Sequence, residues 1–204
     1  MNQLEINKNS YNNIVNEWSS YRNKTINTCI KEFSELLPKN SSILDIGCGT
    51  GQPIAEYLSN QGFKVTGIDI SEKMIEEANK LNLVNATFIE KDILEFESEV
   101  KFDGIIAFDS TFHIEESKQK EVIKVISNLL KEDGYFIFTH GLEKGTVKGT
   151  MFDNEFIYSA LSKEELLNTL KENDLEIIRW EEHYQEPTTG DRNLLVIAKK
   201  TRIN

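Results

Sequence analysis

The residues best suited to chemistry form a loop of alternating glycines after a short apolar segment. Residues 43–51 read ILDIGCGTG, so an apolar strand that contains an acid enters a loop with three glycines. Glycine lets the backbone turn sharply and approach a ligand closely. Doubly wound folds bind nucleotides at loops of this kind, at the carboxyl end of a strand. The pattern therefore predicts a nucleotide-like ligand, and a simple tight turn is the alternative interpretation.

The spacing of this loop distinguishes between classes of nucleotide. A dinucleotide fingerprint is G-x-G-x-x-G, whereas this loop reads G-x-G-x-G and continues with Gln52. Asp45 lies two residues before Gly47, where it would repel a pyrophosphate but suit a cationic ligand. The Gly-Lys-Ser/Thr sequence of a phosphate-binding P-loop is absent. A dinucleotide-dependent oxidoreductase therefore remains only a weaker alternative.

Two further carboxylates follow the next two predicted strands. Asp69 ends the apolar run 64–69, and an acid at the end of the second strand can bind both hydroxyls of a ribose. Asp92 follows the run 86–90, where a carboxylate can accept an N–H of a purine and Ile93 can pack on its ring. The alternative interpretations are a helix-start acid for Asp69 and a solvated side chain for Asp92.

These residues need an alternation of strands and helices to bring them together. From residue 42 onward, short apolar runs alternate with helical patterns, which predicts a mostly parallel sheet with helices on both faces. About a dozen residues separate the last two predicted strands, too few for a helical crossover, so these strands should pair antiparallel. The predicted strands are 42–46, 64–69, 86–90, 102–108, 135–139, 176–180 and 194–199.

Residues 42–140 resemble the class I S-adenosylmethionine-dependent methyltransferases. The resemblance rests on the glycine loop, on Asp69 and Asp92, and on the segment FDGII at 102–106, which is similar to the fourth strand of that family. It implies a Rossmann-like, doubly wound α/β sheet of seven strands, the last of them antiparallel. It also implies S-adenosylmethionine as cofactor and S-adenosylhomocysteine as product.

The resemblance further implies which residues contact the cofactor. The backbone around Gly47 and Gly49 would contact its methionine part, with Asp45 near the ammonium or sulfonium side. Asp69 would bind the ribose and Asp92 the adenine amino group. The remaining cofactor candidates lie beside the adenine, in the glycine loop, after the fourth strand or in the N-terminal segment: Ile70, Met74, Ile93, Cys48, Gly51, Phe108, Tyr11 and Arg22.

The acceptor side is expected beyond the fourth and fifth strands. In the family, the stretch equivalent to 107–114 borders the transferred methyl group, which makes His113 the candidate base, since histidine can take a proton near neutral pH. His140 is a candidate for the acceptor pocket. For each histidine a purely structural role is the alternative. The glycine-rich loop 141–149 is a candidate lid over the acceptor, and His183 is expected at the surface.

Composition limits the partners of this 204-residue chain. Lys and Arg total 23 and Asp and Glu total 34, a net charge of −11 that argues against nucleic acid as a substrate. No apolar run is long enough to span a membrane and no metal site is expected, because Cys29 and Cys48 lack a zinc-binding spacing. A cytoplasmic protein of one domain is predicted, with a helical segment at 1–40 over the cofactor and a core at 41–204.

The sequence thus predicts an enzyme that transfers a methyl group to an oxygen or nitrogen of a small molecule by direct displacement. A cofactor-binding module without catalysis is the alternative from another class. The identity of the acceptor and the oligomeric state are left open.

Overall fold

The computed structural model describes residues 1–21, 24–187 and 190–201. Within these ranges two short 3₁₀ helices, Ile93–Glu95 and Thr111–His113, follow the third and fourth strands. The helices are α1 (Gln3–Tyr21), α2 (Thr28–Glu35), α3 (Ile54–Asn60), α4 (Glu72–Lys80), α5 (Glu116–Leu129) and α6 (Lys163–Glu172). The strands are β1 (Ser42–Ile46), β2 (Lys64–Asp69), β3 (Ala86–Glu90), β4 (Phe102–Ala107), β5 (Leu130–His140), β6 (Gly145–Met151), β7 (Asn154–Ala160), β8 (Leu175–Glu186) and β9 (Gly190–Lys200).

Seven strands form one sheet in the order β3-β2-β1-β4-β5-β9-β8. The pairs from β3 to β5 are parallel, and β9 runs antiparallel to both β5 and β8. The predicted fold class is therefore confirmed. The strand order reverses between β1 and β4, and such a switch point leaves a crevice at the carboxyl ends of the strands.

Each face of the sheet is covered by its own group of helices. Side chains of α2, α3 and α4 pack in one core cluster, and those of α5 and α6 pack in another. Neighbouring residues of one strand contribute to opposite clusters, as Ile43 and Leu44 of β1 and Ile105 and Ile106 of β4 do. This alternation follows from the pleat of a strand, and a parallel sheet buried on both faces requires it.

The predicted helix starts at two serines are confirmed. The Ser71 side chain accepts a hydrogen bond from the Met74 amide at the start of α4. Ser162 and Glu165 form a reciprocal capping box at the start of α6. Both serines satisfy amides that the first helical turn leaves without a partner.

Several predicted boundaries were wrong, and β5 begins at Leu130 rather than at residue 135. Strands β8 and β9 extend to Glu186 and Gly190, so only residues 187–189 separate them, not about a dozen. One face of β8 is exposed and carries several acidic residues, so the sequence of the second half of this strand lacks the apolar pattern that would predict a strand. Part of the predicted glycine-rich loop is also a strand, because β6 pairs antiparallel with β7 from Gly145 to Ala160.

The N-terminal segment divides into two parts with different surroundings. Helix α2 packs in the core, with Phe33 fully buried. Helix α1 lies instead against β7 and α4, with Ile14 and Val15 in a small cluster that includes Met74 and Phe156. Among the described residues, no helix combines the length and apolarity needed to cross a bilayer.

Candidate functional site

The glycine loop between β1 and α3 adopts a backbone that only glycine accommodates easily. Gly47, Gly49 and Gly51 have φ angles of 72°, 54° and 76°. A Cβ atom on Gly47 would lie 2.4 Å from the Cβ atom of Ser110, and one on Gly51 would lie 2.9 Å from the Phe88 ring. These glycines therefore serve both the turn and the close approach of neighbouring segments.

Asp69, at the end of β2, holds this loop in place. Its carboxylate accepts hydrogen bonds from the Gly49 amide at 2.9 Å and from the Ser71 amide at 2.8 Å. Burial raises the pKa of the Asp69 carboxyl, and the hydrogen bonds from backbone amides oppose this effect. Asp69 thus links the loop after β1 to the start of α4.

The third predicted acid caps the short helix after β3. The Asp92 carboxylate accepts a hydrogen bond from the Leu94 amide at 3.0 Å. Ile93 is buried beside it. The cap fixes the direction of a carboxylate at the same sheet edge as Asp69, because parallel strands end at one edge.

These groups surround a cavity of about 90 Å³, which we call the loop cavity. The predicted residues that line it are Tyr11, Gly47, Gly49, Asp69, Ile70, Met74, Asp92, Ile93, Phe108 and His113.

Four predicted cofactor residues are not among the lining residues of the loop cavity. Asp45 is buried in β1, and Gly51 lies against Phe88. Cys48 belongs to a core cluster and packs against Gly67 of β2. Arg22 lies outside the described residues.

Several lining residues were missing from the predicted set. Trp18 follows Tyr11 at helical spacing, so the apolar stripe of α1 was the available signal. Ser110 follows β4, and within the described residues its buried hydroxyl oxygen makes no hydrogen bond. The others are Leu4, Ile46, Ile68, Lys91, Asp109 and Ile114, none of which was named as a single candidate, although Asp109 and Ile114 fall in the stretch 107–114.

A second, wider cavity of about 740 Å³ opens beside the first, and we call it the hairpin cavity. It lies between the ends of β4 and β5, the β6–β7 hairpin and the start of β9. His140 lines this cavity, and the exposed His183 lies at its rim. Four residues line both cavities, and we call the place where they lie the junction: Tyr11, Trp18, Asp109 and His113.

His113 lies at this junction and contacts Tyr11. The Tyr11 hydroxyl and the Nε2 atom of His113 are 2.8 Å apart. Burial lowers the pKa of the His113 imidazole to about 4, and the carbonyl group of Ile157 opposes this shift. The ring is therefore uncharged at neutral pH.

His140 is held by protein oxygens on both sides of its ring. Its Nδ1 lies 2.7 Å from the Gly141 carbonyl oxygen, and its Nε2 lies 3.0 Å from the Oε1 of Gln119. Burial also lowers the pKa of this imidazole. The contacts position His140 in the wall of the hairpin cavity.

Asp109 has a strained backbone at the other side of the junction. Its φ angle is 58°, and its amide donates to the Thr139 hydroxyl at 2.8 Å. Its carboxylate accepts a hydrogen bond from Arg192 Nε at 2.7 Å. Backbone strain of this kind is common at functional sites.

Comparison with known proteins places the chain in one family. Residues 18–179 match the family model described as a methyltransferase domain. A protein of Geobacillus sp. (strain WCH70) with a provisional methyltransferase name is 33% identical over 63% of this chain. A carboxy-S-adenosyl-L-methionine synthase of Campylobacter concisus is 32% identical over 53% of this chain. The matches cover 53% and 48% of these relatives, so the chain spans about half the length of the curated proteins that it matches.

Solved structures share the fold at low sequence identity. Magnesium protoporphyrin IX methyltransferase of Synechocystis PCC 6803, solved with bound S-adenosylmethionine, has a TM-score of 0.73 and 19% identity over 98% of both chains. The 1,6-didemethyltoxoflavin-N1-methyltransferase of Burkholderia thailandensis has a TM-score of 0.69 and 22% identity over 95% of this chain and 85% of its own.

Proposed function

The chain belongs to the methyltransferase-domain family, and from this premise we propose that it methylates an oxygen or nitrogen of a small molecule by direct displacement. Family membership confirms the resemblance to the class I S-adenosylmethionine-dependent methyltransferases and, with it, the predicted cofactor. One observation carries the proposal: the loop cavity and the hairpin cavity meet at Tyr11, Trp18, Asp109 and His113. Two ligands can thus be held next to each other.

The loop cavity fits the chemical groups of S-adenosylmethionine. The carboxylate of Asp69 would bind the ribose hydroxyls, and that of Asp92 would accept from the adenine amino group. Met74 and Ile93, both buried in the lining, offer apolar contact to the adenine ring. The buried Ser110 hydroxyl, which lacks a partner within the described residues, is available to a polar group of the ligand. When bound, S-adenosylmethionine supplies an activated methyl group on a sulfonium.

The residues at the junction would position the acceptor. Methyl transfer by displacement depends mainly on holding the reacting atoms in line. We infer that the uncharged His113 ring accepts a hydrogen bond from Tyr11 and so orients this hydroxyl at the junction. His113 is retained as the candidate base, although a pKa of about 4 makes it a weak one.

The names of the relatives support a small-molecule acceptor. One solved neighbour is a 1,6-didemethyltoxoflavin-N1-methyltransferase with bound 1,6-didemethyltoxoflavin and S-adenosylhomocysteine. A curated relative from Rickettsia felis, 39% identical over 38% of this chain, is a ubiquinone biosynthesis O-methyltransferase.

A reducing cytoplasm suits the two buried free thiols, Cys29 and Cys48.

Calorimetric titration with S-adenosylhomocysteine, with NAD as the control ligand, tests the cofactor site. We expect one-to-one binding of S-adenosylhomocysteine alone. The Asp69→Ala variant should lose this binding, because both the ribose contact and the support of the glycine loop disappear. The matched control is Glu99→Gln, which removes an exposed charge before β4, at the opposite sheet edge.

The outcomes separate the proposed enzyme from its alternatives. Formation of S-adenosylhomocysteine with a metabolite extract would support the enzyme. Binding without turnover in any acceptor pool would indicate a cofactor-binding module. Micromolar affinity of Asp69→Ala for S-adenosylhomocysteine would overturn the assignment of Asp69 to the ribose. Competition of NAD with S-adenosylmethionine would support a dinucleotide-dependent oxidoreductase instead.

A further inference from the structure

Aromatic rings from three elements form the wall between the junction and the hairpin cavity. Helix α1, the 3₁₀ helix after β4 and strand β7 each contribute two of them. The centroid distances are 5.3 Å for Tyr11 and His113, 5.0 Å for His113 and Tyr158, and 5.8 Å for Phe112 and Tyr158. The rings are Tyr11, Trp18, Phe112, His113, Phe156 and Tyr158, and all except Phe156 line the hairpin cavity.

Two ionisable rings of this wall, His113 and Tyr158, are uncharged at neutral pH. Burial lowers the pKa of the His113 imidazole to about 4 and raises the pKa of the Tyr158 phenol. The wall therefore presents neutral rings, whose faces carry negative electrostatic potential. None of its six rings carries a positive charge that would repel a cation.

The charged side chains that line the hairpin cavity are negative in balance, because three carboxylates (Asp109, Glu143 and Asp191) outnumber Lys144 and Arg192. Arg192 pairs with Asp109 at 2.7 Å, and Lys144 pairs with Glu165 at 2.8 Å. Two more lining carboxylates, Glu143 and Asp191, are exposed, and neither forms an ion pair within the part of the chain that the structure describes. The exposed His183 is the other titratable group at this rim.

We propose that the acceptor is an amine, whose nitrogen is received by the aromatic wall of Trp18, Phe112 and Tyr158 below a rim that holds Glu143 and Asp191. This inference rests on the proposed function and specifies its acceptor class. Neutral aromatic faces attract cationic nitrogen, and quaternary ammonium groups are recognised in this way. The carboxylates at the rim would add attraction over a longer range.

The chemistry of an amine suits the groups at the junction. The lone pair of an unprotonated amine forms the new N–C bond to the methyl group, while the C–S bond breaks and leaves its electron pair on sulfur. The positive charge passes from sulfur to nitrogen, where the aromatic wall stabilises it. A tertiary amine releases no proton, and a secondary amine releases one to water in the open cavity. The weakly basic His113 therefore does not have to take a proton.

A pair of probes with equal shape isolates the effect of charge. The complex with S-adenosylhomocysteine is titrated calorimetrically with 3-hydroxyphenyltrimethylammonium and, separately, with 3-tert-butylphenol, in which carbon replaces the charged nitrogen. We expect the cation to bind about tenfold more tightly than the neutral phenol. Equal affinities, or tighter binding of the phenol, would overturn the proposal.

Variants of the wall and the rim test where the selectivity arises. Phe112→Leu should reduce the ratio of the affinity for the cation to the affinity for the phenol at least threefold. The affinity for S-adenosylhomocysteine should stay unchanged, because Phe112 does not line the loop cavity. Tyr158→Phe, which keeps the ring, should retain the ratio. The double variant Glu143→Gln/Asp191→Asn should weaken the binding of the cation more than the binding of the phenol. Glu99→Gln should change the affinity for neither probe.

The same titrations separate this inference from the proposed function. A folded protein that does not bind S-adenosylhomocysteine contradicts both. Binding of S-adenosylhomocysteine with a probe ratio of one contradicts only the amine acceptor. The amine acceptor is also contradicted if neither Phe112→Leu nor Glu143→Gln/Asp191→Asn changes the ratio of the two probe affinities.

Discussion

The contact between Tyr11 and His113 determines which proton chemistry the junction allows. An imidazole that stays uncharged at neutral pH orients a phenol well, because its nitrogen lone pair is available, but it holds a transferred proton weakly. Asp109 and Arg192 form the charged pair on the other side of the junction. The residues nearest to the proposed transfer therefore position groups and balance charge more than they accept protons.

The low pKa of His113 predicts a specific dependence of stability on pH. The pKa is about 4 in the folded protein, against 6.5 for a histidine in water. Between these values the unfolded state binds a proton that the folded state does not, so stability falls as the pH drops from 6.5 toward 4. We expect this residue to account for about 2 kcal/mol of that loss, because solvent in the cavity screens part of the effect.

The test compares the free energy of unfolding in urea at about pH 7 and at about pH 4.5. Between these two values most of the unfolded chains take up the proton on residue 113. His113→Gln should lose about 2 kcal/mol less stability than the unchanged protein over this interval. His183→Gln, at an exposed position, serves as the matched control and should not alter the difference. The same pH dependence in His113→Gln as in the unchanged protein would refute the assignment.

Helix α1 is attached to the hairpin through buried polar side chains. Asn7 donates to the carbonyl groups of His113 and Ile157 at 3.1 and 2.9 Å, and its own oxygen accepts from the Ile157 amide at 2.9 Å. Gln3 and Ser10, on the same face of the helix, bond to the backbone of β7 as well. This face of α1 satisfies the backbone groups on the open edge of β7, which would otherwise lack partners.

These elements also show how far the sequence could predict the fold. The observed strands β1, β2 and β3 have the predicted bounds. A buried parallel strand such as β1 is a short apolar run between turns, and β3 could be predicted too, although it is an edge strand and only Phe88 of it is buried. The Gln3–Asn7–Ser10 face could not be predicted in the same way. A polar stripe on a helix indicates solvent, and only the tertiary structure shows that β7 lies against it. Asp69 and Asp92 line the loop cavity and were named from the sequence because each lies at or just after the end of a predicted strand, whereas Asp109 and Ser110 were covered only by the stretch 107–114.

Removal of the Asn7 side chain should loosen this attachment. Asn7→Ala leaves the buried Ile157 amide without its side-chain partner, and the Ile157 carbonyl keeps only the longer bond from Gln3. We expect a cost of about 2 to 3 kcal/mol in the free energy of unfolding. Hydrogen exchange at the Ile157 amide should accelerate, since α1 no longer covers it. Asn9→Ala, on the exposed side of the same helix, is the control and should change stability by less than about 0.5 kcal/mol. Equal exchange rates at Ile157 in both variants would argue against the attachment.

On the scale of the whole molecule, the loop cavity joins segments that are far apart in the sequence. Its lining includes Leu4 and Trp18 of α1, the glycine loop after β1, and the ends of β2, β3 and β4. The switch point of the sheet opens the crevice, and α1 lies beside it because the hairpin holds that helix there. A ligand in this cavity would therefore contact both the sheet edge and the N-terminal helix.

This arrangement predicts that S-adenosylhomocysteine stabilises two distant segments together. A ligand at a hundred times its dissociation constant adds about 2.7 kcal/mol to the free energy of unfolding, which corresponds to a rise in Tm of roughly 5 to 10 °C for a chain of this size. Hydrogen exchange should slow in α1 and in the hairpin attached to it, as well as in residues 42–51 and 86–95. Helix α6 lines neither cavity and should not change, which makes it the internal reference. Protection confined to residues 42–114, with unchanged exchange in α1, would mean that the sheet edge alone binds the cofactor and that the N-terminal helix does not cover it.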